Sequence, residues 1–380
     1  MVNDQNNGNK IKTAILLKDV FWSRMEAEKH IDNWLNVLAK EQQQARYLGL
    51  PLGCVPSVRS YPILKISRND PNVFFPALIA SKLQEWKHLM SSSQTERADK
   101  IVAGIVDTFP LYKSRRGRMH YNFWPTNPDI PFPNGKVLHR FDFFRLPDDI
   151  DDTALVYSAL SSDKPTVLSL QQDIDEHFLR HYPKQPRMYA AWLGDKMPWV
   201  VDACAMINLL SLFQHHKLLP TAFTGTSEAY LKDIILTKSY IKTPYEVAPY
   251  YPDSAVIAYH LAKWLSGDRE KLEHLIAVFV SDIEALLATE WNDFKAMLYA
   301  ISLLKLGVRP LREIELYRLE GDSYPWFYGS MLSAVKPSWL QKMGRFRLFH
   351  IAHSCPPWNH TLWVEYTLLK KMIEKRNIIS

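Results

Sequence analysis

The sequence predicts an all-α fold, an α/α toroid or (α/α)6 barrel built from repeated helical hairpins. Only 13 of the 380 residues are glycine, whereas 47% are hydrophobic, and this composition favours long helices over a sheet sandwich. An aspartate followed by an apolar helical stretch also recurs every 40 to 51 residues. More polar helical stretches lie between the apolar ones, so each repeat contains two helices, as in a helical-hairpin array.

The N-terminal third is predicted to hold helices that pack on the toroid or form part of it. Apolar residues recur at helical spacing over residues 20–40, and residues 72–90 and 95–108 give two further helical segments. We therefore divide the chain into these N-terminal helices, residues 1–110, and a toroid of the catalytic type, residues 111–380.

The next segment, residues 122–137, is rich in proline and aromatic side chains, including Trp124, and is predicted to be a long loop. Loops of this length in a compact domain are usually functional or disordered, and the apolar content argues against disorder. We expect this loop to line the mouth of a site. Residues 324–358 have a similar composition and are expected to close the ring or to seal one end of it.

The repeated apolar helices begin near Asp152, Asp202, Asp253 and Asp293. An aspartate at such a place is expected to cap the helix N-terminus or to lie in its first turn. The helices that follow carry little charge and contain small residues such as Ala203. We place them in an inner ring, and we place the more charged helices between them in an outer ring.

Four of the five residues 148–152, at the start of the first repeated helix, are carboxylates: Asp148, Asp149, Asp151 and Asp152. Pro147 precedes them, which marks a helix N-terminus, where the helix dipole stabilises negative charge. Capping a helix needs fewer acids than this. Because neighbouring carboxylates repel each other, at least one should have a raised pKa and hold a proton. The run therefore suggests acid chemistry, with a solvated acidic loop as the alternative.

Residues 149–154, with the sequence Asp-Ile-Asp-Asp-Thr-Ala, resemble the DxDD motif of class II terpene cyclases. Residues 148–152 also fit the DDxxD pattern of class I terpene synthases and prenyltransferases, which bind a diphosphate through magnesium. The class I motif lies within a helix, however, and residues 292–296 lack the Ser and Glu of its second metal motif. Class II cyclases carry their motif on an α/α toroid, which the repeat predicts independently.

The resemblance implies that the chain protonates and cyclises a linear prenyl substrate, such as a prenyl diphosphate. By position in the motif, Asp151 would be the proton donor, and Asp149 and Asp152 would keep it protonated and oriented. Aromatic rings would stabilise the carbocations, and arginines would bind a diphosphate. The candidate substrate-binding residues are Trp124, Tyr157, Trp199, Tyr259, Trp326, Arg116 and Arg118, with Trp192, Tyr250, Tyr251 and Phe327 as further aromatic candidates.

Two features of such a site are left open by the motif. The base that ends the reaction is not assigned, with His120, His139 and His260 as candidates. Metal ligands are not assigned either, although a diphosphate substrate would allow Mg²⁺ as a cofactor. The similarity is local to the motif, with the repeat extending it over residues 120–360. The chain has room for one toroid domain, whereas class II cyclases usually have two.

Charge and cysteine content argue against several other classes. The net charge is +6 and the basic residues are scattered, which argues against a nucleic-acid partner. The three cysteines are too far apart for a zinc ribbon or a disulfide scaffold and suit a reducing compartment. Residues 1–12 do not resemble a signal peptide, and no apolar run is long enough to span a membrane. We expect a cytoplasmic enzyme with an apolar small-molecule substrate, and peripheral membrane contact is allowed.

Two other functions fit the same pattern. Carbohydrate-active enzymes also use (α/α)6 barrels, in which paired carboxylates and stacking aromatic rings act on sugars. A non-catalytic helical-repeat scaffold that binds a peptide or lipid would need no acid with a perturbed pKa. A closed apolar cavity would favour the terpene substrate, whereas an open polar groove would favour a sugar.

Overall fold

The computed structural model describes residues 28–61, 63–126, 145–194, 197–314, 324–330, 339, 343–344 and 346–379. Residues 20–27 of the first predicted helix lie outside these ranges. Residues 127–137 of the predicted loop and His139 lie outside them as well.

Most of the described residues are helical. The longer helices are α1 (residues 28–44), α2 (Phe74–Glu85), α3 (Ser92–Val106), α4 (Ile150–Ala159), α5 (Lys164–His181), α6 (Ala203–His215), α7 (Ala222–Thr237), α8 (Ser254–Gly267), α9 (Glu273–Thr289), α10 (Asp293–Lys305) and α11 (Pro356–Ile379).

Six of these helices contact one another in a closed cycle. Helix α2 packs on α4, α4 on α6, α6 on α8, α8 on α10 and α10 on α11, and α11 returns to α2. Helices α3, α5, α7 and α9 each contact a member of this cycle. The six-helix cycle therefore forms the interior of the molecule, and its helices begin on one side and end on the other.

The side chains explain which helices lie in the cycle. Ten of the 13 residues of α6 are buried, so this helix is apolar nearly all round. In α5, by contrast, the buried residues include Val167, Leu170, Ile174 and Phe178, which lie along one stripe. A helix with a single apolar stripe covers a core, whereas a helix that is apolar all round lies within it.

Aspartates cap three consecutive helices of the cycle. Asp149, Asp202 and Asp253 accept hydrogen bonds from backbone N–H groups in the first turns of α4, α6 and α8. The expected capping role is thus confirmed at Asp202 and Asp253. The structure aligns Asp149, rather than Asp152, with these two residues. Asp151 and Asp152 are therefore additional acids in the first turn of α4, beyond what the cap requires.

The prediction of an all-α fold is wrong, because four strands form an antiparallel sheet. The strands are β1 (Val58–Tyr61), β2 (Ile66–Asn69), β3 (Pro325–Ser330) and β4 (His350–Ser354), in the order β2-β1-β4-β3. The fold is therefore a mixture of α-helix and β-sheet. All four residues of β2 are exposed, so no alternation of buried and exposed side chains marks this strand in the sequence.

The sheet joins distant parts of the chain and covers one end of the helical cycle. Val58 of β1 pairs with Ser354 of β4, and Phe327 of β3 pairs with His353 of β4. Residues 324–358, which were expected to close the ring or to seal one end, supply the strands β3 and β4 and the start of α11. The register between β3 and β4 shifts at Trp326, and such a bulge re-aims a side chain.

Candidate active site

A cavity of about 140 Å³ lies where α2, α4 and α6 begin, with β3 and β4 on its other side. This volume is enough for several water molecules or part of an apolar ligand. The acidic residues in its wall are Asp149, Asp151 and Asp152, and the aromatic residues are Phe74, Phe123, Trp124, Trp192, Tyr250, Tyr251 and Phe327. The cavity thus places carboxyl groups against a mostly aromatic wall.

Neighbouring extended segments hold the acidic run in place. The backbone N–H of Ile150, the first residue of α4, donates to the carbonyl of Ala191 at 3.0 Å. Ser114 Oγ donates to the carboxyl of Asp148 at 2.6 Å. Asp148 is therefore held by a different loop, and the three other acids of the run line the cavity.

Asp151 has two hydrogen-bond partners that stabilise its carboxylate. Asn208 Nδ2 donates to its Oδ1 at 2.7 Å, and the Tyr251 hydroxyl bonds its Oδ2. Lys263 Nζ lies behind them and donates to Asn208 Oδ1 at 2.9 Å. Burial raises the pKa of Asp151, whereas Tyr251, Asn208 and the charge of Lys263 act against that rise. Asp151 can therefore hold a proton, and the carboxylate that it leaves is stabilised.

Asp149 and Asp152 form a pair of interacting acids. Asp149 Oδ1 accepts a hydrogen bond from the backbone N–H of Asp152 at 2.8 Å. Burial raises the pKa of Asp149 to about 7. Burial and the charge of Asp149 raise the pKa of Asp152 well above its usual value. Asp152 is therefore the member of the pair that keeps its proton near neutral pH, because a second charge beside Asp149 is unfavourable.

Among the aromatic residues predicted to bind substrate, Trp124, Trp192, Tyr250, Tyr251 and Phe327 line the cavity. The other four are not among the described residues that line it. The Tyr157 hydroxyl donates to the Met119 carbonyl at 3.0 Å, and Trp199 packs against Phe178 and Tyr182. Tyr259 and Trp326 pack edge to face in the helical cycle, with ring centroids 5.3 Å apart.

The predicted arginines also lie away from the described lining of the cavity. Arg118 Nη1 donates to the Leu193 carbonyl at 3.3 Å, and the Arg116 backbone N–H bonds Ser114 Oγ. Of the histidines considered as bases, His120 pairs with Asp173 at 2.8 Å, and His260 Nδ1 bonds the Val256 carbonyl at 2.8 Å. None of these four residues is among the described residues that line the cavity.

Some residues of the site were not predicted from the sequence. His353 lines the cavity, and Asn208 donates a hydrogen bond to Asp151. A signal for Asn208 exists, because it is a polar residue within the apolar stretch of residues 203–210. Lys263 stands out in the same way within α8. No local signal marks His353, because its site partner comes from a distant segment.

On the sheet side of the cavity, His353 pairs with Asp70. His353 Nδ1 lies 2.7 Å from Asp70 Oδ2, and Trp124 Nε1 donates to Asp70 Oδ1 at 2.7 Å. Asn72 Nδ2 donates to Asp70 Oδ2 at 3.0 Å. Burial favours a higher pKa for Asp70, but the charge of His353 and these hydrogen bonds hold the pKa below its usual value. Asp70 is therefore a carboxylate.

A second polar cluster lies at the far ends of the cycle's helices. Lys82 near the end of α2 and Lys305 at the end of α10 approach Glu365 Oε1 to 2.6 and 2.5 Å. The Tyr259 hydroxyl donates to Glu365 Oε2 at 2.8 Å. Acids at helix N-termini and lysines at helix C-termini both suit the helix dipole. The interior of the cycle thus has an acidic end and a basic end.

Among the described residues, no group of three or more His, Cys, Asp or Glu side chains is arranged to hold a metal ion. Within the same ranges, each helix is too short or too polar to cross a lipid bilayer.

The sequence matches no protein-family model, and no curated protein or solved structure is similar to it. The function is therefore inferred from the chemistry of the cavity.

Proposed function

We propose that this chain is a class II-type terpene cyclase, in which Asp151 protonates a carbon–carbon double bond of a linear prenyl substrate. One observation carries the proposal. Asp151 is a buried carboxyl at the wall of an aromatic cavity, and Asn208 and Tyr251 hydrogen-bond its two oxygens. We extend the proposal to a prenyl diphosphate as substrate and to the cytoplasm as location, with peripheral contact to membranes.

Protonation of carbon demands a neutral carboxylic acid whose conjugate base is well stabilised. Burial supplies the neutral form, because a buried carboxylate is unfavourable. Asn208 and Tyr251 supply the stabilisation, because hydrogen bonds to a charged acceptor are strong. The Lys263 ammonium lies one hydrogen bond further away and adds an opposite charge. Asp151 therefore has both properties that the first step requires.

The cavity wall beside Asp151 is mostly aromatic. Asp152 stays protonated beside Asp149 and adds no second charge to the cavity wall. The rings of Phe74, Phe327 and Trp192 face the same space. Such rings stabilise a cation by roughly 0.5–2 kcal/mol each. This lining favours an apolar substrate that passes through a carbocation over a sugar, which would need a polar groove.

The test is to incubate the purified chain with farnesyl or geranylgeranyl diphosphate, remove the diphosphate with phosphatase and identify the products by mass spectrometry. We expect a cyclic alcohol from the wild type and none from Asp151→Asn, which keeps the shape of the side chain and removes the acid. Asp148→Asn is the matched control, because Asp148 bonds Ser114 outside the cavity lining, and it should retain the activity.

Two results would contradict the proposal in different ways. A normal rate of cyclisation by Asp151→Asn would remove Asp151 as the acid. If the wild type converted no prenyl diphosphate, the cyclase itself would be excluded, and sugar substrates would be assayed next.

A further inference from the structure

The Asp70–His353 pair faces the acidic run from the sheet side of the cavity. Both side chains are buried, with 0% and 3% of their surface exposed. Asp70 accepts hydrogen bonds from Trp124 and Asn72, which fix its orientation. Because Asp70 is a carboxylate, the hydrogen between it and His353 belongs to the imidazole. His353 is therefore the donor through Nδ1.

Whenever the His353 ring is neutral, this arrangement leaves the lone pair on the other ring nitrogen. In a neutral histidine with hydrogen on Nδ1, the Nε2 atom has a free lone pair and accepts protons. A Cβ atom built on Gly329 would lie 3.3 Å from this Nε2, and both residues line the cavity. The imidazole also stacks on Phe327, with centroids 4.5 Å apart and planes 10° apart. The ring is thus held with Nε2 beside the cavity wall.

We propose that His353 Nε2 is the base that ends the reaction begun by Asp151, with Asp70 as a positioning residue. This inference rests on the proposed function. Asp151 gives its proton to one carbon of a double bond and leaves a carbocation. His353 then removes a proton from a carbon next to the final cation, and that C–H electron pair becomes a new double bond. Asp151 carboxylate and His353 imidazolium remain, and solvent returns the proton from His353 to Asp151.

The first test compares the products of the wild type with those of His353→Gln. Without the base, water captures the final cation. The hydrocarbon part of the product then carries a hydroxyl group in place of the new double bond, so a cyclic olefin becomes a cyclic alcohol. We expect the ratio of olefin to alcohol to fall by about 100-fold or more, which is the low end of general-base effects, while substrate is still consumed. Asp70→Asn should shift the same ratio by less. An unchanged ratio in His353→Gln would overturn the inference.

The matched control is His350→Gln. His350 lies on the same strand, stacks near Tyr328 with centroids 5.4 Å apart, and is not among the described cavity residues. This variant should leave the ratio unchanged. Thermal unfolding of all three variants shows whether the fold is retained.

The second test does not need turnover. Nitrogen NMR of histidine-labelled protein, with the His353 signals assigned by their loss in His353→Gln, identifies the protonated ring nitrogen. We expect Nδ1–H in the wild type and a loss of this preference in Asp70→Asn. A hydrogen on Nε2 in the neutral ring would overturn the role of His353 even if the enzyme cyclises its substrate. Failure of the wild type to convert any prenyl diphosphate would instead overturn the proposed function.

Discussion

Asn208 and Asp151 are joined by a 2.7 Å hydrogen bond from the amide nitrogen to the carboxyl Oδ1. The amide oxygen of Asn208 accepts from Lys263 at 2.9 Å, so the amide cannot flip without losing both bonds. Asn208 therefore always presents a donor to Asp151. Together with Tyr251, it makes Asp151 a better-stabilised carboxylate than its burial alone would allow.

Replacing Tyr251 with Phe removes one of these two hydrogen bonds. A bond to a charged group contributes about 1.5–3 kcal/mol, so the maximal rate of cyclisation should fall roughly 10- to 100-fold. The pKa of Asp151 should rise, because its carboxylate loses a donor, and the alkaline limb of the pH–rate profile should move to higher pH. Tyr240→Phe removes the hydroxyl of a buried tyrosine that bonds Asp282 and should change neither quantity. An identical profile for Tyr251→Phe would contradict this account of Asp151.

Replacing Asp152 with Asn should change how stability depends on pH. The raised pKa of Asp152 in the folded chain means that its contribution to stability is present at low pH. Above about pH 4, the unfolded chain loses this proton while the folded chain keeps it, so wild-type stability falls as pH rises towards the folded pKa. Asn mimics the protonated acid and does not titrate.

The measurement for this prediction is urea unfolding at pH 4.5 and pH 8. Because the wild type loses stability over this range and the Asn side chain does not titrate, the stability of Asp152→Asn should rise relative to that of the wild type between the two pH values. Asp233→Asn, on an exposed residue of α7, is the control and should follow the wild type. Parallel curves for wild type and Asp152→Asn would show that Asp152 ionises normally.

Replacing Ala205 with Leu should block the cavity without unfolding the protein. Ala205 lines the cavity in the first turn of α6, so the larger side chain enters empty space and no hydrogen bond of Asp151 is lost. We expect the melting temperature to stay within a few degrees and prenyl turnover to disappear. Ala258→Leu is the matched change at a fully buried residue of α8, and overpacking there should cost about 1–3 kcal/mol. Normal turnover by Ala205→Leu would place the substrate elsewhere.

Replacing Glu365 with Gln should destabilise the fold. Its carboxylate is fully buried and contacts Lys82 and Lys305, which would be left without their shared partner. Loss of one member of a buried ion pair costs about 3–5 kcal/mol, measurable by urea unfolding. Glu96→Gln removes an exposed ion pair with Lys100 and should have no measurable effect. Equal effects of the two changes would mean that water reaches the Glu365 cluster.

Much of the helical framework could be predicted because its signals are local. Residues 72–90 contain α2, residues 95–108 overlap most of α3, and Asp202 and Asp253 cap helices as expected. The acidic run shows a helix start followed by more carboxylates than a cap requires, and three of them line the cavity. Local spacing and capping chemistry are sufficient to indicate such features.

The sheet and the aromatic wall could not be predicted from the same signals. The strands β1 and β2 have four residues each, too few for a clear alternation. Aromatic side chains also look alike in a core and in a cavity: Trp124 and Trp326 have similar neighbours in sequence, yet only Trp124 is in the described lining. Asp70 and His353 are brought together by the pairing of distant strands. The spacing of apolar residues within a helix or a strand gives no information about such pairing.

His353 reaches Asp70 although 283 residues separate them. A chain emerges from the ribosome with its N-terminal part first, so α4 with Asp151 exists long before β3 and β4 are made. Until these strands dock, water reaches the acidic run and its carboxyls ionise as they would in a peptide. The nascent chain therefore carries ordinary aspartates through most of its synthesis. The buried carboxyl of Asp151, with its raised pKa, forms only after β3 and β4 have docked.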